Sequence, residues 1–262
     1  MEWGSDALSR FVKQTHVMAY DAFVDRPSAY STLASIDAGF RLLDEGKVKP
    51  PGMDETPAIL IVHAHSMYLA AVNCALSGHA AATYPLLRTS LETALYVLFM
   101  VSDPKKIGVW LARGESDQAR SICREEFTLG KVVRAAKSIN PELGAEIDER
   151  YNKLIDMGAH PNWPGLENQV RRTPEEFQVA ILLRTTPDRL VSLIACMDIG
   201  MIVLRIIVLA LPPYSQQAAL EPVAKNLWET RQAAVDAMVR ESNTLYQAAE
   251  SKAKEQRTGS KQ

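Results

Sequence analysis

The stretch that decides the fold is Leu193-Ile194-Ala195-Cys196-Met197-Asp198-Ile199-Gly200-Met201-Ile202-Val203-Leu204-Arg205-Ile206-Ile207-Val208-Leu209-Ala210-Leu211. It is long and apolar enough to raise the question of a membrane span. Asp198 and Arg205 argue against one, because each charge at mid-bilayer costs roughly 2.5–3.5 kcal/mol. The two are seven residues apart, close to two helical turns, so they share one side of a helix. The reading is a central core helix of a water-soluble bundle, opened by Thr186-Pro187-Asp188 and stopped by Pro212-Pro213.

Outward from it, helical spacing recurs. Thr56-Pro57 reads as a cap and first turn of a second apolar helix, ended by Gly78. This helix is apolar nearly all round and is expected to be deeply buried. One polar stripe, His63, Ser66, Asn73 and Ser77, runs along it. The next helix, about residues 80–102, carries Arg88, Glu92 and Tyr96 four apart on one face. Flanking helices are expected over about residues 6–24, 28–45, 104–113, 115–138, 140–157 and 217–250. Pro50-Pro51-Gly52 and the segment 158–165 read as loops. Residues 169–183 lean towards a small β-hairpin. The expectation is an all-α fold: one helical domain over 1–262, a bundle of seven to nine helices, with a disordered tail at 252–262.

Composition bounds the function. The 262 residues include 47% hydrophobic and 23% charged residues, values typical of a globular chain. The balance of 29 basic and 31 acidic residues gives a net charge of −2, without the basic excess common in nucleic-acid binders. The three cysteines, Cys74, Cys123 and Cys196, are far apart and lack ligand spacing. They read as reduced thiols of a cytoplasmic protein. The N-terminus, Met1-Glu2-Trp3-Gly4, does not read as a signal peptide.

No dinucleotide fingerprint, phosphate loop, nucleophile elbow or HExxH occurs. His63 and His65 are two apart on a helix and point in different directions, so no metal site and no cofactor is expected. Arg88 with Glu92, inside an apolar helix, reads either as a structural ion-pair network reaching Asp198 or Arg205, or as a polar cleft in which Arg88 takes an anion. His160 follows a helix end beside Asp156. Both favour its protonated form and suit it to acid–base work.

The pattern Leu87-Arg88-Thr89-Ser90-Leu91-Glu92, followed by Ala159-His160-Pro161-Asn162, resembles a group of bacterial helical proteins related to the HEPN superfamily. The resemblance covers roughly residues 57–211. It implies a helical bundle, often a dimer, of the kind that cleaves RNA without metal in toxin–antitoxin and other defence systems. The usual mark there is an Arg separated from a following His by four to six intervening residues. This chain has Lys153, Leu154 and Ile155 at those places, and Lys153 is a point charge rather than a planar fork. The resemblance implies His160 as the catalytic base; Arg88, supplying the guanidinium from another helix, and Glu92, holding it, complete the catalytic set as a hypothesis outside the family pattern, with Asn162 and Lys153 on the substrate. The implied partners are RNA, an antitoxin-type protein and a second copy of the chain. The other reading is a non-catalytic binding or assembly module using the stripe Leu220, Val223, Leu227, Val235, Met238 and Leu245. A small-molecule pocket beside His63, Ser66 and Asn73 ranks third.

Overall fold

A computed structural model describes residues 4–45, 55–159, 163–167, 169–172, 176–182, 186–217 and 219–259. The architecture is all-α. Helices α1 (Ala7–Asp25) and α2 (Pro27–Glu45) lead to α3 (Glu55–Leu76) and α4 (Ala80–Ser102). Then come α5 (Lys105–Leu111), α6 (Asp117–Glu126), α7 (Leu129–Ile139), α8 (Pro141–Leu154) and α9 (Trp163–Glu167). The chain closes with α10 (Thr186–Ala210), α11 (Pro212–Gln217), α12 (Leu220–Glu229) and α13 (Arg231–Gly259). That is more segments than the seven to nine expected. The stretch 115–138 divides at Phe127-Thr128 because the Phe127 ring turns inward against Tyr96 and Phe99. The stretch 217–250 divides at Thr230. The backbone is helical beyond 252, as far as Gly259.

Between α9 and α10, Val170–Arg172 and Phe177–Val179 pair antiparallel, Val170 opposite Val179. Three-residue strands are too short to form a layer, and Val179 and Ile181 face solvent. The hairpin expected over 169–183 is therefore no element of the architecture.

Local chemistry sets the helix ends. Asp6, Ser116 and Asn140 accept from the backbone N–H three residues on and cap α1, α6 and α8. Gly78, at φ +82°, ends α3. Its N–H bonds to Ala75 O and that of His79 to Cys74 O, the paired bonds of a left-handed helix stop.

The core forms where α10 crosses α4, α2 and α3. Ile36, Phe40, Tyr68, Leu87, Leu91, Leu95, Leu193, Met197 and Ile199 are fully enclosed there. Gly200 is required at the crossing: a Cβ would sit 2.7 Å from both Ile36 and the Tyr68 ring. Both α3 and the Arg189–Ala210 part of α10 have the length and apolarity to cross a membrane, a property shared by core helices of water-soluble proteins. Their surroundings differ. The apolar window of α10 is 72% buried, that of α3 only 39%. Deep burial of α3 is thus not observed: Ile59, Val62 and Leu69 are exposed, and so are His63, Ser66 and Asn73. With a helix of small residues on its inner face (Ala64, Ala71, Ala75), only one side of α3 is needed to seal the core.

Candidate functional site: a polar cluster between α4 and α8

Arg88 and Glu92 sit one turn apart on α4, as their spacing dictates. Arg88 Nε donates to Glu92 Oε1 at 2.9 Å. The same oxygen accepts the Tyr151 hydroxyl from α8 at 2.5 Å, and the guanidinium lies 5.1 Å from the Tyr151 ring centre. Two donors thus converge on one carboxylate oxygen, which fixes Arg88 across a helix–helix contact. The Arg88 and Glu92 side chains keep 23% and 31% of their exposure, so solvent reaches both.

The electrostatics follow from this geometry. Burial works against the Arg88 charge, but the bond and charge of Glu92 outweigh it and hold the guanidinium protonated above its ordinary range. Burial, and then the bond to Glu92, push the Tyr151 hydroxyl well above the usual tyrosine range. Tyr96 completes the stripe. Its hydroxyl donates to Phe127 O at 3.3 Å. Burial and the Glu92 charge raise it, while the charges of Arg113 and Arg88 pull it down. Arg113, on the turn after α5, is exposed and makes no ion pair among the described residues. The cluster thus presents one oriented and partly open guanidinium, that of Arg88, which can hold an anion such as a phosphate ester.

Of the residues singled out in the sequence, Arg88 and Glu92 are brought together. Lys153 is not brought to them. It lies on the solvent side of α8, two residues past Tyr151, and its Nζ is 2.5 Å from Glu149 Oε1. His160 and Asn162 lie outside the described residues. The segment leading to them, Ile155–Ala159, packs against α4, and Gly158 turns it at φ +115°.

The link from Arg88 to Asp198 or Arg205 does not form. Those two meet Arg150 and Glu146 of α8 in a separate network. Asp198 takes a two-pronged grip from Arg231, at 2.6 and 2.8 Å, with Arg150 at 3.4 Å. Arg205 donates to Glu146 at 2.5 Å and stacks 4.1 Å from the Trp228 ring centre.

Sequence reasoning missed Tyr151 and Arg113. Tyr151 was accessible from the spacing Leu143, Ile147, Tyr151, which puts a tyrosine on the buried face of α8 and obliges its hydroxyl to find a partner. No such signal marks Arg113.

Of the two neighbouring histidines, His63 faces solvent. His65 is buried, 2.7 Å from Asp37 and stacked on Phe40. Among the described residues no group of three or more His, Cys, Asp or Glu gathers as a metal site. All three cysteines are free, and burial raises each thiol. In comparisons with known protein families, curated proteins and solved structures, nothing matches the chain.

Proposed function

We propose that the polar face of α4 binds the phosphate of an RNA strand and that the chain cleaves RNA without metal, as a HEPN-like protein of bacterial defence or stress response in the cytoplasm. The observation that supports this reading most is the shared carboxylate oxygen. Glu92 and Tyr151 orient Arg88 at a point solvent can reach. An oriented guanidinium that solvent reaches suits a phosphodiester better than a stability role does.

In this mechanism His160 takes the proton of a ribose 2′-hydroxyl. That oxygen attacks the adjacent phosphorus, and the bond from phosphorus to the 5′-oxygen breaks. The products are a 2′,3′-cyclic phosphate and a 5′-hydroxyl end, the leaving oxygen gaining a proton from water. Arg88 offsets the charge that builds on the phosphoryl oxygens, with Glu92 and Tyr151 as its positioning residues. Asn162 is placed on the substrate by the resemblance alone. Lys153, pointing away from Arg88, has no part here. An antitoxin-type protein is the partner such an activity would require.

The test is expression and purified-protein cleavage of single-stranded RNA by wild type, His160→Ala and Arg88→Ala. Each variant should lose cleavage and growth arrest while keeping the wild-type helical spectrum. A wild-type protein that neither cuts RNA nor slows growth removes this reading.

A further inference from the structure

Arg205 borders a hollow of about 240 Å³ that the Arg88 site does not use. It is lined from α8, α10 and α12. Leu143, Val208, Leu209, Ala224 and Trp228 give it an apolar lining, buried or half-buried. The Arg205 side chain keeps 18% of its exposure. Among the described residues its guanidinium bonds through Nη1 alone, to Glu146, while the Trp228 ring lies flat against it at 4.1 Å. Nε and Nη2 are left as donors held in a fixed plane. Asn140, also on the lining, spends its side-chain oxygen on the cap of α8. Its amide nitrogen makes no bond among the described residues and is a second donor.

The rim carries the opposite charge. Glu221, in the first turn of α12, is exposed and makes no ion pair among the described residues. Lys225 and Glu229, both exposed and 3.9 Å apart, offset each other.

We propose that this hollow binds a free α-amino acid with an apolar side chain. Its carboxylate meets Arg205 and Asn140, its ammonium meets Glu221, and its side chain lies on Leu143, Val208 and Leu209. The inference is independent of the nuclease reading.

Charge and size select this ligand. A simple anion would find Arg205 already matched by Glu146 and would be repelled by Glu221. A simple cation would meet Glu221 but also Arg205 and Lys225. A molecule with both charges and no net charge leaves each partner satisfied. An enclosed cavity of about 150 Å³ takes a benzene ring, so this volume admits on the order of ten non-hydrogen atoms. Leucine and methionine are of that size. A pocket mostly apolar, with a few convergent polar groups, is the usual form of a small-molecule site.

The measurement is isothermal titration of the full chain with leucine, methionine, glycine, glutamate, N-acetylleucine and leucinamide. Leucine and methionine should bind. Glycine lacks the apolar body and glutamate adds a buried charge, so neither should. N-acetylleucine has only the carboxylate and stands for a peptide C-terminus; leucinamide has only the ammonium and stands for an N-terminus. Each should bind at least tenfold more weakly than leucine. Arg205→Lys should weaken leucine at least tenfold and Glu221→Gln at least threefold, with thermal unfolding recorded on both. Glu221 is exposed, so its variant keeps the test open should Arg205→Lys fold poorly. Three results overturn the proposal: no heat from leucine or methionine at millimolar concentration, equal binding of leucine and either blocked form, or leucine binding unchanged by Glu221→Gln. RNA cleavage is expected to be the same in Glu221→Gln as in wild type, so failure here and failure of the nuclease reading are separate outcomes.

Discussion

The Asp198 cluster and the Arg88 cluster both lean on α8, the first through Arg150 and the second through Tyr151, and differ in how far their carboxylates are enclosed. Asp198 has 5% side-chain exposure, two arginines on its carboxylate and a third arginine stacked on Trp228 nearby. Arg88 and Glu92 retain 23% and 31%. A buried carboxylate of the first kind cannot lose its partners cheaply, since Asp198 itself has almost no water to turn to, although Arg231 and Arg150 keep 21% and 22% of their side-chain exposure. A pair of the second kind adds little to stability, because water screens it. The same residue types, an Asp or Glu gripped by Arg, therefore serve as a clamp between α8, α10 and α13 in one place. In the other they form a reachable polar face.

That contrast can be broken by mutation. Asp198→Ala should cost about 3–5 kcal/mol in urea denaturation, as expected when one member of a buried ion cluster is removed. A loss near zero would mean that the clamp is solvated and the distinction false. Glu92→Gln should cost no more than about 1 kcal/mol in the same assay. It should also lower the pH at which Tyr151 ionises, read by tyrosinate absorbance, because the negative neighbour is gone. An unchanged titration would mean that burial alone sets Tyr151.

The pH dependence has a definite sign. Tyr151 holds its proton more tightly folded than unfolded, so its contribution to stability is complete below pH 10, its ordinary value, and is lost as pH rises beyond. Unfolding followed across that alkaline range should show a steeper decline in wild type than in Tyr151→Phe. The smallest effect belongs to Lys153→Ala. It should stay within about 0.5 kcal/mol of wild type, as surface changes do, and leave RNA cleavage intact.

Sequence reading went furthest where one helix carries the whole signal. The Arg88–Glu92–Tyr96 stripe and the shared side of Asp198 and Arg205 follow from helical spacing alone. So do the stops at Gly78 and at Asn140-Pro141. What stayed hidden is what crosses between helices. The bond of Tyr151 to Glu92 spans 59 positions, and that of Arg231 to Asp198 spans 33. Neither leaves a periodic trace. The exposed side of α3 was invisible for another reason: a helix apolar on every face gives no direction, so composition alone suggested burial all round. The C-terminal stripe was legible as apolar but not by destination. Leu220, Leu227 and Met238 are spent inside, against α2 and α10, rather than kept for a partner.

The proposed chemistry requires Arg88 to act as an oriented guanidinium instead of a structural tie. The direct measurement is cleavage of end-labelled single-stranded RNA by wild type and by Arg88→Lys, with thermal unfolding recorded on both. A lysine keeps the charge but not the fork. The expected result is cutting by wild type, loss of cutting in the variant, and an unfolding transition within a few degrees of wild type. Equal cutting by both proteins, or none by either, would contradict it.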